Sequence, residues 1–164
     1  TYTNTDDASG TYRDGGDEQS YNYALKDLKV GDMPQGNFVA GLTVTPVEGA
    51  SIQALYRFYA FHYSDWSIST REFTNEDDAD RKDSWKAPNY GVMEIHASYD
   101  LPFSFGPVKP RLYLNVFNAL DAVYIQDAVD NSSYNSWNQD HDADDAEVYF
   151  GLPMSFNAGL SISF

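Results

Sequence analysis

From Met154 to Phe164 apolar residues alternate with small or polar ones without a break. Met154, Phe156, Ala158, Leu160, Ile162 and Phe164 share one face of an extended strand, and Ser155, Asn157, Gly159, Ser161 and Ser163 share the other. Such a strand needs something apolar on one side and tolerates water on the other. Residues 154–164 are also long enough for a tilted strand to cross the hydrocarbon layer of a bilayer. The aromatic residue at position 164 tips the expectation toward an all-β fold, a transmembrane antiparallel β-barrel whose first partner is the lipid bilayer.

Composition supports a barrel over the other ways of crossing a membrane. No run of apolar residues reaches the length of a transmembrane helix, whereas a strand signal is compatible with the chain. Thirteen Tyr, ten Phe and three Trp make aromatics 16% of the chain, and such rings gather where lipid meets water. Cysteine is absent, which excludes a disulfide-stapled scaffold and thiol chemistry. The net charge of -15 is concentrated: stretches 1–36, 65–88 and 126–147 each hold seven acidic residues, or 21 of the 25. An anionic surface of this kind excludes a nucleic-acid backbone as partner. Thr1 opens a polar stretch without the pattern of a signal peptide, so the expectation is a mature product or a piece of a longer chain.

Five strands are expected, at 38–46, 51–63, 90–101, 110–118 and 150–164, with no helix. Their apolar faces are Phe38 to Val44, Ile52 to Ala60, Met93 to Leu101, Leu112 to Val116 and the terminal series. Pro46-Val47-Glu48-Gly49 and the Pro102 to Pro110 stretch make short connections, while 65–88 and 119–148 are long acidic loops. Residues 1–37 are expected to be loop, because Gly, Asp, Asn and Thr dominate them. Short turns on one side and long loops on the other are the layout of an outer-membrane barrel. Five strands do not close a barrel, for which eight is the practical minimum, so the segment belongs to a larger one. A soluble antiparallel sandwich with acidic loops for Ca2+ or a partner is the alternative.

More specific signals follow. Leu114-Asn115-Val116-Phe117-Asn118-Ala119-Leu120-Asp121 with Tyr124 resembles the penultimate-strand signature of TonB-dependent outer-membrane receptors, and Phe150-Gly151-Leu152-Pro153 before the last strand is similar to their final turn. The motif positions are Asn115, Phe117, Asn118, Asp121, Tyr124, Gly151 and Pro153. Tyr21 to Gln35, Trp85 to Gly91 and His141 to Val148 resemble the Bacteroidetes branch that carries a carboxypeptidase-regulatory-like domain. Met154-Ser155 stands where relatives often have a basic residue, and Ala119 replaces a bulkier one. The resemblance implies the last five strands of a 22-stranded barrel in the bacterial outer membrane, filled by a plug and coupled to TonB through parts not among these residues. It further implies energy-coupled uptake of a scarce nutrient, such as a siderophore, glycan or peptide. Phe156, Leu160, Ile162 and Phe164 would serve as the signal read by the barrel-assembly machinery. A SusD-like lipoprotein or a larger complex is a compatible partner.

Candidate sites are few. Gln53, Arg57, Glu94, His96, Arg111 and Asn115 are expected to face the lumen or the plug. Trp137, Asp140, His141, Asp142, Asp144, Asp145 and Glu147 are candidate ligand or partner contacts in an outer loop. Carboxylates at this spacing suit a hard cation such as Ca2+, but an EF-hand frame starting at Asp140 places Asp145 where Gly is needed and Gly151 where the bidentate Glu belongs. No cofactor is expected, with a looser Ca2+ site in this loop as the alternative to a solvated or partner-facing one. His62, His96 and His141 have no nucleophile at a diagnostic spacing, so no catalysis is expected. Trp66, Trp85 and Trp137 suit either sugar stacking or interfacial anchoring.

Overall fold

The computed structural model describes residues 6–14, 16–104, 106–135 and 140–163. It is all-β with antiparallel sheets. The strands are β1 (Ala8–Asp14), β2 (Asp17–Tyr23), β3 (Pro34–Val44), β4 (Ala50–Tyr63), β5 (Glu72–Phe73), β6 (Lys86–Ala87), β7 (Tyr90–Asp100), β8 (Lys109–Phe117), β9 (Ile125–Asp130), β10 (Ala146–Phe150) and β11 (Ser155–Ser163). Short 3-10 turns at Ile68–Arg71 and Glu76–Asp78 and one helical turn, α1 (Ser132–Asn135), complete it.

The chain divides into two compact units, one of Thr1–Gly36, Ala60–Asn89 and Ile125–Phe150, the other of Asn37–Tyr59, Tyr90–Tyr124 and Gly151–Phe164. Each acidic stretch falls within the first unit.

The second unit is a sheet in the order β11-β8-β7-β4-β3. Among the described residues this sheet is open, with β3 and β11 at its edges. Its strands are long because their alternation is long: β3 and β7 have 11 residues, β8 and β11 have 9, and β4 has 14, against an ordinary strand of roughly five or six. The β3–β4 connection is tight. Gly49 takes a left-handed φ of 80° there, and its carbonyl accepts the Asp100 N–H at 2.8 Å.

Register puts the expected apolar residues in rows across the sheet. Phe156 pairs with Val116 and Val116 with Ile95; Leu160 pairs with Leu112 and Leu112 with Tyr99. Ile52 lies opposite Ala97, and Ala54 opposite Ile95. These side chains do not form a core. Phe156 is 72% exposed, Leu42 67%, Phe38 63% and Leu160 53%, so the apolar face of a regular sheet stands uncovered.

The first unit has a different logic. β1 and β2 form a hairpin from Ala8 opposite Tyr23 to Asp14 opposite Asp17, and β2 continues onto β5. β9 pairs with β10, and His62 and Tyr63 pair with Ala87 and Lys86 of β6. Its buried apolar residues are mostly small, namely Ala24, Ala60, Ala87 and Ala128 with Leu28, and polar side chains fill the rest.

Several expectations are corrected here. Residues 1–37 contain a hairpin and the start of β3 rather than loop alone. Both of its strands are largely exposed, so neither face had to be apolar. The stretches 65–88 and 119–148 hold β5, β6, β9, most of β10, α1 and the 3-10 turns rather than structureless loop. The final strand does not run from 150: β10 ends at Phe150, Gly151-Leu152-Pro153 interrupts, and β11 begins at Ser155. Pro153 has no N–H for a ladder, which explains the break.

Candidate functional site

On the sheet of the second unit, the residues between the apolar positions build a polar face. Gln53 pairs with His96, His96 with Asn115 and Asn115 with Asn157, so four polar side chains stand in one row. The Gln53 amide donates to Thr43 Oγ1 at 3.2 Å. His96 Nδ1 lies 2.8 Å from Asn115 Oδ1, and the Asn115 amide donates to Asn157 Oδ1 at 2.8 Å. Glu94 Oε2 accepts from Arg57 Nη2 at 3.3 Å and lies 3.5 Å from His96 Nε2. Arg111 grips Asp100 with Nε and Nη2 together, a bidentate pair that holds both side chains along the strands. All six residues expected to face a lumen or plug therefore lie on the polar side of one sheet, opposite the uncovered apolar side.

The residues from Phe117 to Tyr124 and from Gly151 to Met154 form a clasp in this unit. Asn118 and Asp121 both take left-handed φ, 48° and 49°, which Asn and Asp tolerate better than most residues. The buried Asn118 side chain donates to the carbonyls of Ala122 and Leu152 at 2.9 and 3.1 Å and accepts the Ala122 N–H at 3.0 Å. Asp121 Oδ1 accepts the Met154 N–H at 2.9 Å, and the Gly151 N–H donates to the Tyr124 carbonyl at 2.9 Å. The Tyr124 ring lies directly over Gly151, where a Cβ would stand 2.0 Å from it. That ring continues a stack through Tyr90 at 4.5 Å to Tyr59 at 4.9 Å. Phe117 meets the His96 ring edge-on at 5.9 Å. Pro153 contributes by ending the turn before β11. The motif residues thus hold the turn after β8 against the start of β11.

Phe156, Leu160 and Ile162, expected from the resemblance to form an assembly signal, all lie on the uncovered face, each more than half exposed. Phe164 and Trp137 lie outside the described residues.

In the first unit the loop residues converge on a buried ion network that spacing did not reveal. His141, itself left-handed at φ 61° and buried, stands between two carboxylates: Nδ1 is 2.6 Å from Asp130 Oδ2 and Nε2 is 2.7 Å from Asp80 Oδ2. Arg71, 1% exposed, donates to the carbonyl of Lys82 at 2.9 Å and lies 3.4 Å from Asp80 and 3.7 Å from Asp130. Burial pulls its guanidinium below the ordinary Arg range, while Asp80, Asp130 and Asp83 oppose that pull. Burial pushes the Asp80 carboxyl up, but the Lys82 N–H, His141 and Arg71 together outweigh it and hold Asp80 below its ordinary value. Trp66 is committed inside this unit: its Nε1 donates to the Lys29 carbonyl at 3.0 Å and Arg71 lies 5.8 Å from its ring.

Beside this network Asp140, Asp142, Asp144 and Asp145 each bring an oxygen within 4.8 Å of the others. The Asp144 N–H donates to Asp142 Oδ1 at 3.0 Å. The contact between their carboxyls holds Asp142 below its ordinary value and pushes Asp144 above it. Glu147 does not join them. It is turned to Asn131 Nδ2 at 2.6 Å and to the Tyr149 hydroxyl at 2.7 Å, which corrects its grouping with the acidic loop. Arg71, Asp80, Asp130 and Lys82 are the residues that sequence reasoning missed. The signal for them was the set of basic residues Arg71, Arg81 and Lys82 inside an otherwise acidic stretch.

No family model, curated protein or solved structure matches the chain.

Proposed function

We propose that the chain supplies wall, outward loops and assembly signal to the closing segment of a TonB-dependent receptor barrel in a bacterial outer membrane, taking part in energy-coupled uptake of a scarce nutrient. The observation that carries this reading is the two-sided sheet: five strands of 9 to 14 residues with one face apolar and uncovered, and the other polar and cross-linked by hydrogen bonds. In water such a face drives association, whereas in a bilayer it meets hydrocarbon directly. The edges of β3 and β11 fit the same reading, because strands of the same receptor would pair with them and leave no backbone group bare in lipid.

The roles follow from the two faces. The row from Gln53 to Asn157, with Arg57, Glu94 and Arg111, is the surface on which a plug would rest, through groups that donate and accept in alternation. Phe156, Leu160 and Ile162 present β11 to the assembly machinery before the barrel closes. The acidic unit is the part that would meet a nutrient, a lipoprotein lid or another partner outside the cell. The chemistry assigned to the chain is binding and transport, without a catalytic step.

Detergent dependence tests this. The intact protein should be monodisperse in detergent micelles by size-exclusion chromatography with light scattering, and should aggregate when detergent is removed. A monodisperse species in plain buffer means that protein covers the apolar face, and the soluble binding module then replaces the receptor.

A further inference from the structure

The connection from β9 to β10 places four carboxylates where like charge needs a counter-charge. Among the described residues, the cation paired with any of the four is Lys82, whose Nζ is 3.5 Å from Asp140 Oδ2. Crowded surface acids are common, and by themselves they say nothing about a ligand. Asp145 is different. It is 1% exposed, its Oδ2 accepts the His141 N–H at 2.6 Å, and its Oδ1 is buried with no hydrogen-bond partner. Asp140 Oδ1 is likewise buried and bare. A buried carboxylate oxygen without a donor is strongly disfavoured, and two of them in one set of four carboxylates leave acceptors that a cation satisfies.

We propose that Asp140, Asp142, Asp144 and Asp145 form a Ca2+ site. Oxygens bound to one Ca2+ at about 2.3–2.6 Å lie at most about 5 Å apart, so the observed set fits within one coordination shell. Mg2+ binds at about 2.0–2.1 Å in a near-octahedral shell whose opposite oxygens stand about 4.2 Å apart, so a set spread within 4.8 Å suits the larger Ca2+ better. Four carboxylates also match the hard-oxygen preference of Ca2+, and no sulfur or imidazole ligand in the set selects a softer metal. His141 stays outside it, since both ring nitrogens already face Asp130 and Asp80. The site is not an EF-hand: Asp145 stands where that loop turns on Gly, and here it is a buried ligand instead. Bound Ca2+ would fix the β9–β10 connection and offset half of its four negative charges, giving this acidic unit a shape set by external Ca2+. The site lies within the first unit and stands whether or not the sheet of the second unit faces lipid.

The test is isothermal titration calorimetry on the intact protein in detergent, stripped with a chelator and titrated with CaCl2 or MgCl2. One saturable Ca2+ site is expected with a Kd of roughly 10⁻⁴ M or tighter, and Mg2+ should bind at least about tenfold more weakly. Asp142 and Asp144 are exposed, so Asp142→Asn/Asp144→Asn should keep its circular dichroism spectrum while losing at least about tenfold in Ca2+ affinity. Asp77→Asn, on an exposed acidic turn elsewhere, should bind Ca2+ unchanged. The absence of saturable heat from the wild-type protein overturns the proposal, as does a double variant that binds as tightly as wild type.

Discussion

Asn118 sits in the left-handed region at φ 48°, and its carboxamide makes three hydrogen bonds to Ala122 and Leu152 from a buried position. Removing it leaves buried backbone groups without partners, each costing about 1–3 kcal/mol. Asn118→Ala should therefore destabilise the clasp by roughly 3 kcal/mol, visible as a lowered thermal unfolding midpoint in detergent. Asn118→Gly relieves the backbone conformation but restores no hydrogen bond, so it should recover only a minor part of the loss. Gly151→Ala attacks the same clasp from the other side, because its Cβ meets the Tyr124 ring at 2.0 Å. Displacing that ring from Tyr90 should cost about 1–3 kcal/mol, read in the same melt. Asp80 gives a pH dependence with a definite sign. Its native carboxyl titrates below its ordinary 3.8, so its contribution to stability is complete above that value and is lost as pH falls through the lowered native value. Hydrogen exchange at pH 6 and pH 3 should accordingly show residues 60–89 and 125–150 losing protection at the lower pH. Unchanged protection would contradict the network drawn around His141.

Strands with one apolar face were legible in the sequence because burial or lipid contact on a single side imposes period two. β4, β7, β8 and β11 begin or end within a few residues of the expected limits, and their registers place Leu112, Leu114, Leu160 and Ile52 on the face expected for them. β1 and β2 were not legible: their side chains are mostly exposed, so Gly10, Thr11, Asp17 and Gln19 carry no alternation to read. β9 and β10 escaped because they are short, at 6 and 5 residues, and lie within the acidic stretch. The acidic site was half legible. Asp140 to Asp145 lie together in sequence, while Asp80 reaches His141 from 61 positions away, a pairing that no local spacing encodes. The element that separates the two readings of the sheet is β11. In a bilayer Leu160→Arg should cost about 2–4 kcal/mol and reduce the yield of folded barrel, whereas Ser161→Arg on the polar face should be close to neutral. In the soluble alternative a protein layer covers Leu160, so Leu160→Arg would lower stability in plain buffer, without detergent, instead of lowering the yield of folded barrel.

At the scale of the molecule, charge and grease are sorted along the chain. The unit built from Thr1–Gly36, Ala60–Asn89 and Ile125–Phe150 holds 21 acidic residues, leaving Glu48, Glu94, Asp100 and Asp121 in the unit that carries the sheet. That partition was readable from the acidic stretches alone, because a long strand with one apolar face leaves few positions for charge and solvated stretches leave many. What composition did not convey is that the acidic unit is folded, with Arg71 and His141 buried among carboxylates in place of a large apolar core. The chain contains no cysteine, so single cysteines introduced by mutation can be labelled cleanly. Nitroxide labels at Leu42, Leu114 and Leu160, and at His96, Asn115 and Asn157, should be compared by power saturation with the intact protein in liposomes. The account predicts that the first three collide with oxygen dissolved in the bilayer and are shielded from a water-soluble nickel chelate, while the other three do not show this pattern. Equal access of the chelate to both sets would contradict it.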